Sequence, residues 1–132
     1  MASLFSKIVS GEIPCHKVAE NERFLAFLDI SPLAFGHTLV IPKNEIDYIF
    51  DIEDDELSGL ILFSKQVSKA IKENIDCARI GVCVIGLEVP HAHIHLIPMN
   101  SVHDMNFSKP KLEVKSEVLK TLAMKIKMTF DQ

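Results

Sequence analysis

Hydrophobic and polar positions change period several times along this chain, and each change marks an element. Leu4 to Val9 is short and amphipathic, enough for one or two helical turns, and Ser10-Gly11 with Pro14 ends it. Arg23 to Asp29 reads as a strand with Phe24 or Leu25 turned inward. Ser31-Pro32 and Gly36 supply turn chemistry, and His37 to Ile41 resumes as a strand rich in β-branched residues that Pro42 closes. The pair is expected to form an antiparallel hairpin across a long loop. From Asp51 to Asn74 the period becomes helical: Leu57, Leu60, Ile61, Ser64, Val67, Ala70 and Ile71 keep the spacing of one helix face. Glu53, Asp54, Asp55 and Glu56 cluster where the helix dipole favours negative charge, and Lys65, Lys69 and Lys72 lie toward the other end. That acidic cluster therefore reads as a solvated helix start rather than a metal site.

Arg79 to Val84 is the next strand, Gly86 marks a turn, and a histidine-bearing strand follows. Met99 to Leu112 reads as a loop with His103, Asp104 and Pro110. Ser116 can cap a last helix that turns Val118, Leu119, Leu122, Ala123 and Ile126 to one side. No repeat or linker interrupts the pattern, so residues 1–132 are expected to form a single α+β domain. It would be a meandering antiparallel sheet with one long central helix and a C-terminal helix.

Composition narrows the setting. With 48% hydrophobic and 24% charged residues, the chain has the make-up of a soluble globular protein. A formal net charge of −4 argues against nucleic acid as a partner, because a phosphate backbone calls for a basic face. No apolar run approaches the roughly 20 residues of a membrane span. The segment Met1 to Pro14 lacks the apolar centre of a signal peptide. Cys15, Cys77 and Cys83 form no Cys-x-x-Cys pair and read as buried, reduced thiols of a cytoplasmic protein.

The stretch Val89 to Pro98, Val-Pro-His-Ala-His-Ile-His-Leu-Ile-Pro, changes the picture most. Half of the six histidines fall within five residues of it. On a strand rising about 3.4 Å per residue, His91, His93 and His95 would share one face about 7 Å apart. Ala92, Ile94 and Leu96 would then face a core. Two chemistries use such a row. The imidazoles can be metal ligands, zinc wanting a third protein ligand and water. Alternatively the middle one can attack phosphorus, its neutral ring offering a lone pair once a carbonyl holds the other N–H. Residue types and spacing leave both open.

His91-x-His93-x-His95 followed by Leu96-Ile97-Pro98 resembles the signature of the histidine triad family of nucleotide hydrolases and transferases. Phe5-Ser6-Lys7-Ile8-Val9 with Gly11-Glu12-Ile13-Pro14 is similar to the N-terminal segment of its nucleotide-binding-protein branch. The hairpin Leu25 to Pro32 and Gly36 to Lys43 resembles that branch as well, so the likeness runs from about Ser3 to Pro98. It is less distinctive after Met99.

The resemblance implies a histidine triad fold and a role for each matching position. His93 would be the nucleophile, forming a nucleotidyl intermediate that water hydrolyses. His91 and His95 would orient it and contact the α-phosphate, with His37 in support. Asp29 falls where the family binds ribose hydroxyls, and Leu4, Phe5, Ile8, Phe27 and Ile30 where it walls the purine. Gly86, Glu88 and Val89 fall where its backbone N–H groups meet phosphate. The implied substrates are adenosine phosphoramidates, with dinucleoside polyphosphate hydrolysis, or nucleotide binding with little catalysis, as alternatives. No cofactor is implied, and the branch forms homodimers through the long helix and the strand Arg79 to Val84.

Three departures matter. Many bacterial members hold a structural zinc with a Cys-x-x-Cys pair, a histidine after Ile-Pro-Lys, and a triad histidine. Here those first three positions are Ser3, Ser6 and Glu45, so no zinc is expected. Ile80 and Leu87 replace an amide and a glutamine that the family often places near the phosphate, which removes a polar contact there. Glu88 adds a negative charge where many relatives have serine or threonine.

Overall fold

The computed structural model describes residues 2–132. Its sheet has five strands, β1 (Lys17–Glu20), β2 (Phe24–Leu28), β3 (Thr38–Pro42), β4 (Arg79–Cys83) and β5 (Ile94–Met99). Their spatial order is β1-β2-β3-β5-β4, and every neighbouring pair is antiparallel. The chain meanders through β1, β2 and β3 and then crosses over to the sheet edge before β5 fills the gap. The crossover is the helix α2 (Asp54–Asn74), preceded by a 3-10 turn at Ile49–Asp51. α1 (Leu4–Ser10) opens the fold and α3 (Ser116–Phe130) closes it.

The sheet is covered on both faces, unequally. Phe24, Ala26 and Leu28 of β2, Val40 of β3, and Ile94 and Leu96 of β5 point to α2 and α3 and form the main core. Leu25 and Phe27 of β2, with Leu39 and Ile41 of β3, point the other way and pack on Phe5 and Ile8 of α1. All five residues of β2 are therefore buried, and both Phe24 and Leu25 face inward, to opposite sides. A helix of seven residues cannot cover the second face, so that face stays partly open.

Several expectations need adjusting. β1 carries no strong pattern in its four residues and was not foreseen. On α2 the buried stripe is Leu60, Phe63, Ser64, Val67, Ala70 and Ile71; Phe63 belongs to it and Ile61, half exposed, does not. Phe63 wins because its ring meets those of Phe24 and Phe130, whereas Ile61 faces an open cavity beside β4. On α3, Val118 is likewise exposed, and Lys115 rather than Ser116 occupies the N-cap position, with no side-chain cap.

The largest adjustment concerns the histidine stretch. The ladder begins only at Ile94, so His91, Ala92 and His93 belong to the approach to β5 and not to the strand itself. Alternation nevertheless holds for the apolar members: Ala92, Ile94 and Leu96 are all buried in the main core.

Candidate active site

Strand register builds the site. Phe27 pairs with Leu39, Leu39 with His95, and His95 with Cys83, a row crossing four strands on the face that α1 half covers. A cavity of about 520 Å³ opens over this row. His93, His95, Phe27 and Leu39 line it together with Leu4, Phe5, Ile8, Asp29, Ile30, Gly86, Glu88 and Val89. The loop before β5 and the start of the chain thus meet across one opening. Phe5, Ile8, Phe27 and Leu39 pack together at its α1 end.

α1 can reach this position because Ser3 caps it, its Oγ accepting the Ser6 N–H at 3.1 Å. Gly11, at φ +89°, terminates it in the left-handed conformation glycine tolerates best. Phe5 then stands nearly perpendicular to the His93 ring, with centroids 5.0 Å apart, and to Phe27 at 5.6 Å.

Hydrogen bonds determine which nitrogen of each imidazole carries its proton. The Leu33 N–H donates to Nδ1 of His37 at 3.0 Å, so that ring must carry its proton on Nε2. His37 Nε2 then donates to Nδ1 of His95 at 3.0 Å. His95 in turn keeps its proton on Nε2. His93 Nδ1 donates to the main-chain oxygen of His91 at 2.8 Å, which leaves the lone pair of His93 on Nε2. Neither His93 Nε2 nor His95 Nε2 has a protein partner, yet no buried side-chain N or O among the described residues lacks one. Both atoms therefore open onto the cavity, one as a lone pair and one as an N–H.

Burial keeps the supporting rings neutral. It pushes the His37 imidazole down to about 3, with nearby His95 adding to the effect. It pushes His95 down to about 4, aided by His93. Asp29 stands 3.7 Å from His37 Nε2, but a neutral ring makes no ion pair with it. The Asp29 carboxyl is itself raised by burial and accepts the Ser31 N–H at 2.8 Å. Asp29 and His37 face each other at the mouth of the β2–β3 hairpin, where the Asp29 N–H donates to the His37 carbonyl.

His91 is placed differently from the expectation. It is fully buried and does not line the cavity, so its ring cannot touch a phosphate there. Its Nε2–H donates to the Pro42 carbonyl at 2.7 Å, and its Nδ1 lies 3.2 Å from Ser3 Oγ. Ser6 Oγ and the Ser3 N–H both donate to Oε1 of Glu45. These bonds, the Ser3 N–H first among them, pull the Glu45 carboxyl down to about 2. With Ser6 committed to Glu45, Ser3 Oγ–H is the donor to His91.

The family's structural zinc would use these same positions. The residues present do not fit it, because two hydroxyls and a carboxylate replace the usual soft ligands and each is spent on a hydrogen bond. Asp29, His37 and His95 also bring ligand atoms within 4.8 Å of one another. There the two imidazole lone pairs accept the Leu33 N–H and the His37 N–H, so neither is open to a metal ion.

Ile80 packs against the helix-side core and not the cavity, so packing accounts for its apolar character. Leu87 and Glu88 do line the cavity, Leu87 largely exposed. Two lining residues, Phe107 and Lys111, had no counterpart in the sequence reading. They come from the segment before α3, where neither period nor motif marks them; only the basic-aromatic pair itself could have drawn notice.

Comparison with known proteins agrees with this fold. The HIT domain model matches residues 10–102. Adenosine 5'-monophosphoramidase hnt1 of Schizosaccharomyces pombe is 36% identical over 128 residues, covering 96% of each chain. The crystal structure of a Hit-like protein involved in cell-cycle regulation from Bartonella henselae superposes with TM-score 0.82 at 30% identity, covering 96% of this chain and 95% of that one. A Zn-bound histidine triad family protein from Mycobacterium smegmatis does so with TM-score 0.81 at 25% identity, covering 100% and 95%.

Proposed function

The chain belongs to the HIT domain family, and on that premise we propose that it is a nucleotide hydrolase cleaving adenosine phosphoramidates through a covalent histidine intermediate. One observation carries the reading: His93 gives its Nδ1 proton to the His91 carbonyl and faces the cavity with an uncommitted Nε2. The S. pombe relative named as an adenosine 5'-monophosphoramidase supports the substrate class.

In the first step the Nε2 lone pair of His93 attacks the α-phosphorus, and the bond from phosphorus to the leaving nitrogen breaks. That nitrogen departs as an amine with a proton taken from solvent. His95 Nε2–H donates to a phosphoryl oxygen as negative charge gathers there, and His37 holds the His95 ring in the required tautomer. In the second step water attacks phosphorus and gives up a proton to solvent, the N–P bond breaks, and its electron pair returns to His93 Nε2 as the nucleoside monophosphate leaves. The purine lies against Leu4, Phe5, Ile8, Phe27 and Ile30, and Asp29 accepts the ribose hydroxyls. Gly86, Glu88 and Val89 bring main chain to the phosphate.

Side-by-side turnover of a fluorogenic adenosine phosphoramidate and a diadenosine polyphosphate tests this. Faster cleavage of the phosphoramidate is expected. Nucleotide binding without turnover of either would overturn the hydrolase reading.

The active form we propose is a homodimer. β4 is one of the sheet's two edge strands, and Val82, Val84 and Ile85 share a second cavity of about 510 Å³ with Tyr48, Phe50 and Ile61. All six are exposed, an arrangement that a second copy pairing along β4 would cover.

A further inference from the structure

We infer that Lys111 selects substrates whose leaving group carries a negative charge, a carboxylate or phosphate a few atoms from the bond that breaks. The inference rests on the hydrolase reading above and deepens it.

The segment between the sheet and α3 returns to the cavity at Phe107. The Phe107 ring stands against His95, with centroids 4.9 Å apart, and against His37 at 6.2 Å. Downstream, the Leu112 N–H donates to the Pro32 carbonyl at 2.8 Å and ties this segment to the hairpin loop. Between the two anchors Lys111 folds back. Its Nζ donates to the Phe107 carbonyl at 2.9 Å and lies 5.3 Å from the centre of that ring. The ammonium is thereby held at the cavity beside Phe107, whose ring stands against His95.

Charge makes this placement consequential. The cavity is lined by the carboxylates Asp29 and Glu88 and by one cation, Lys111. Lys111 makes no salt bridge among the described residues; the Asp29 carboxyl feels its charge without pairing with it, which leaves the ammonium able to meet a ligand. Without it the opening would repel an anionic leaving group twice over. With Leu87 apolar, it is also the strongest donor that a leaving group meets beyond His95. Both Phe107 and Lys111 lie past residue 102, where the match to the HIT domain model ends.

The test compares two adenosine phosphoramidates that differ only in charge, one made with β-alanine and one with β-alaninamide. Each is measured as kcat/KM on the parent, Lys111→Gln and Lys111→Arg. The parent is expected to prefer the carboxylate about fivefold at low salt, the size of an exposed ion pair, with the preference shrinking as salt is raised. Lys111→Gln should bring the ratio near one, and Lys111→Arg should keep it. The ratio does not depend on how much of a variant is folded. A parent ratio of one or less, or an unchanged ratio in Lys111→Gln, overturns the inference alone. If the parent cleaves neither compound, the hydrolase reading falls and this inference falls with it.

Discussion

His91 and His93 are joined through the main chain, the carbonyl of the first accepting the Nδ1–H of the second at 2.8 Å. The first triad histidine thus acts on the middle one with its backbone while its ring anchors that backbone in place. Pro42 holds the ring at one nitrogen and Ser3 at the other. Replacing His93 by alanine should lower turnover by about three orders of magnitude or more, because no other lone pair faces the cavity at that point. Nucleotide binding, followed by fluorescence titration, should persist. Near-parental turnover would place the nucleophile elsewhere.

Ser3 serves two structures at once. It caps α1 and donates to His91, so Ser3→Ala should cost about 1 kcal/mol of stability for the lost cap. It should also lower kcat more than it raises KM, since the apolar wall remains. Chemical denaturation and steady-state kinetics would separate the two effects.

The Ser3, Ser6, Glu45 and His91 cluster predicts a gain of metal binding on substitution. A triple variant, Ser3→Cys, Ser6→Cys and Glu45→His, should take up about one zinc per chain and resist heat better with the metal than without. Elemental analysis and thermal melts with and without chelator would show it. Failure to bind zinc would mean that the hydrogen-bonded cluster does not share the geometry of a metal cage.

His37 should matter through His95. His37→Ala leaves the Leu33 N–H without an acceptor and the His95 tautomer undetermined. A fall in kcat of about tenfold to a hundredfold is expected, by analogy with the loss of a partner that orients a metal-bound histidine. Equal losses of kcat in His37→Ala and His37→Asn, with unchanged NMR shifts at His95, would argue against this role.

Stability should decline in mild acid. Unfolded, the imidazoles titrate near 6.5, whereas in the fold His37 is held near 3 and His95 near 4. Between those values the unfolded chain binds more protons, so this stability is complete above about pH 6.5 and is lost as pH falls through the folded values. Asp29, raised by burial, works in the opposite direction. The melting temperature should therefore drop steeply from pH 6.5 to pH 4, and less steeply in His37→Asn.

Much of this protein was written in local pattern. The long helix, the β2–β3 hairpin and the C-terminal helix follow from hydrophobic period and turn residues, since each is stabilised by near neighbours in the chain. Gly36 shows how local chemistry and packing agree: it adopts φ +95° to bring His37 back beside Asp29, and an added Cβ would lie 3.1 Å from Ile75. The histidine spacing marked the stretch that matters but left metal ligand and nucleophile both open, and the role given to His93 came from the family resemblance. Tertiary structure decided how those rings are used. Which nitrogen bears each proton depends on Leu33, Pro42 and a carbonyl two residues away, and a one-dimensional pattern holds no hydrogen-bond directions. His91 left the expected row because residues distant in sequence enclose it, and Phe107 and Lys111 entered the cavity for the same reason. Local period tells a side chain which way to face; only the folded chain tells it what it will meet.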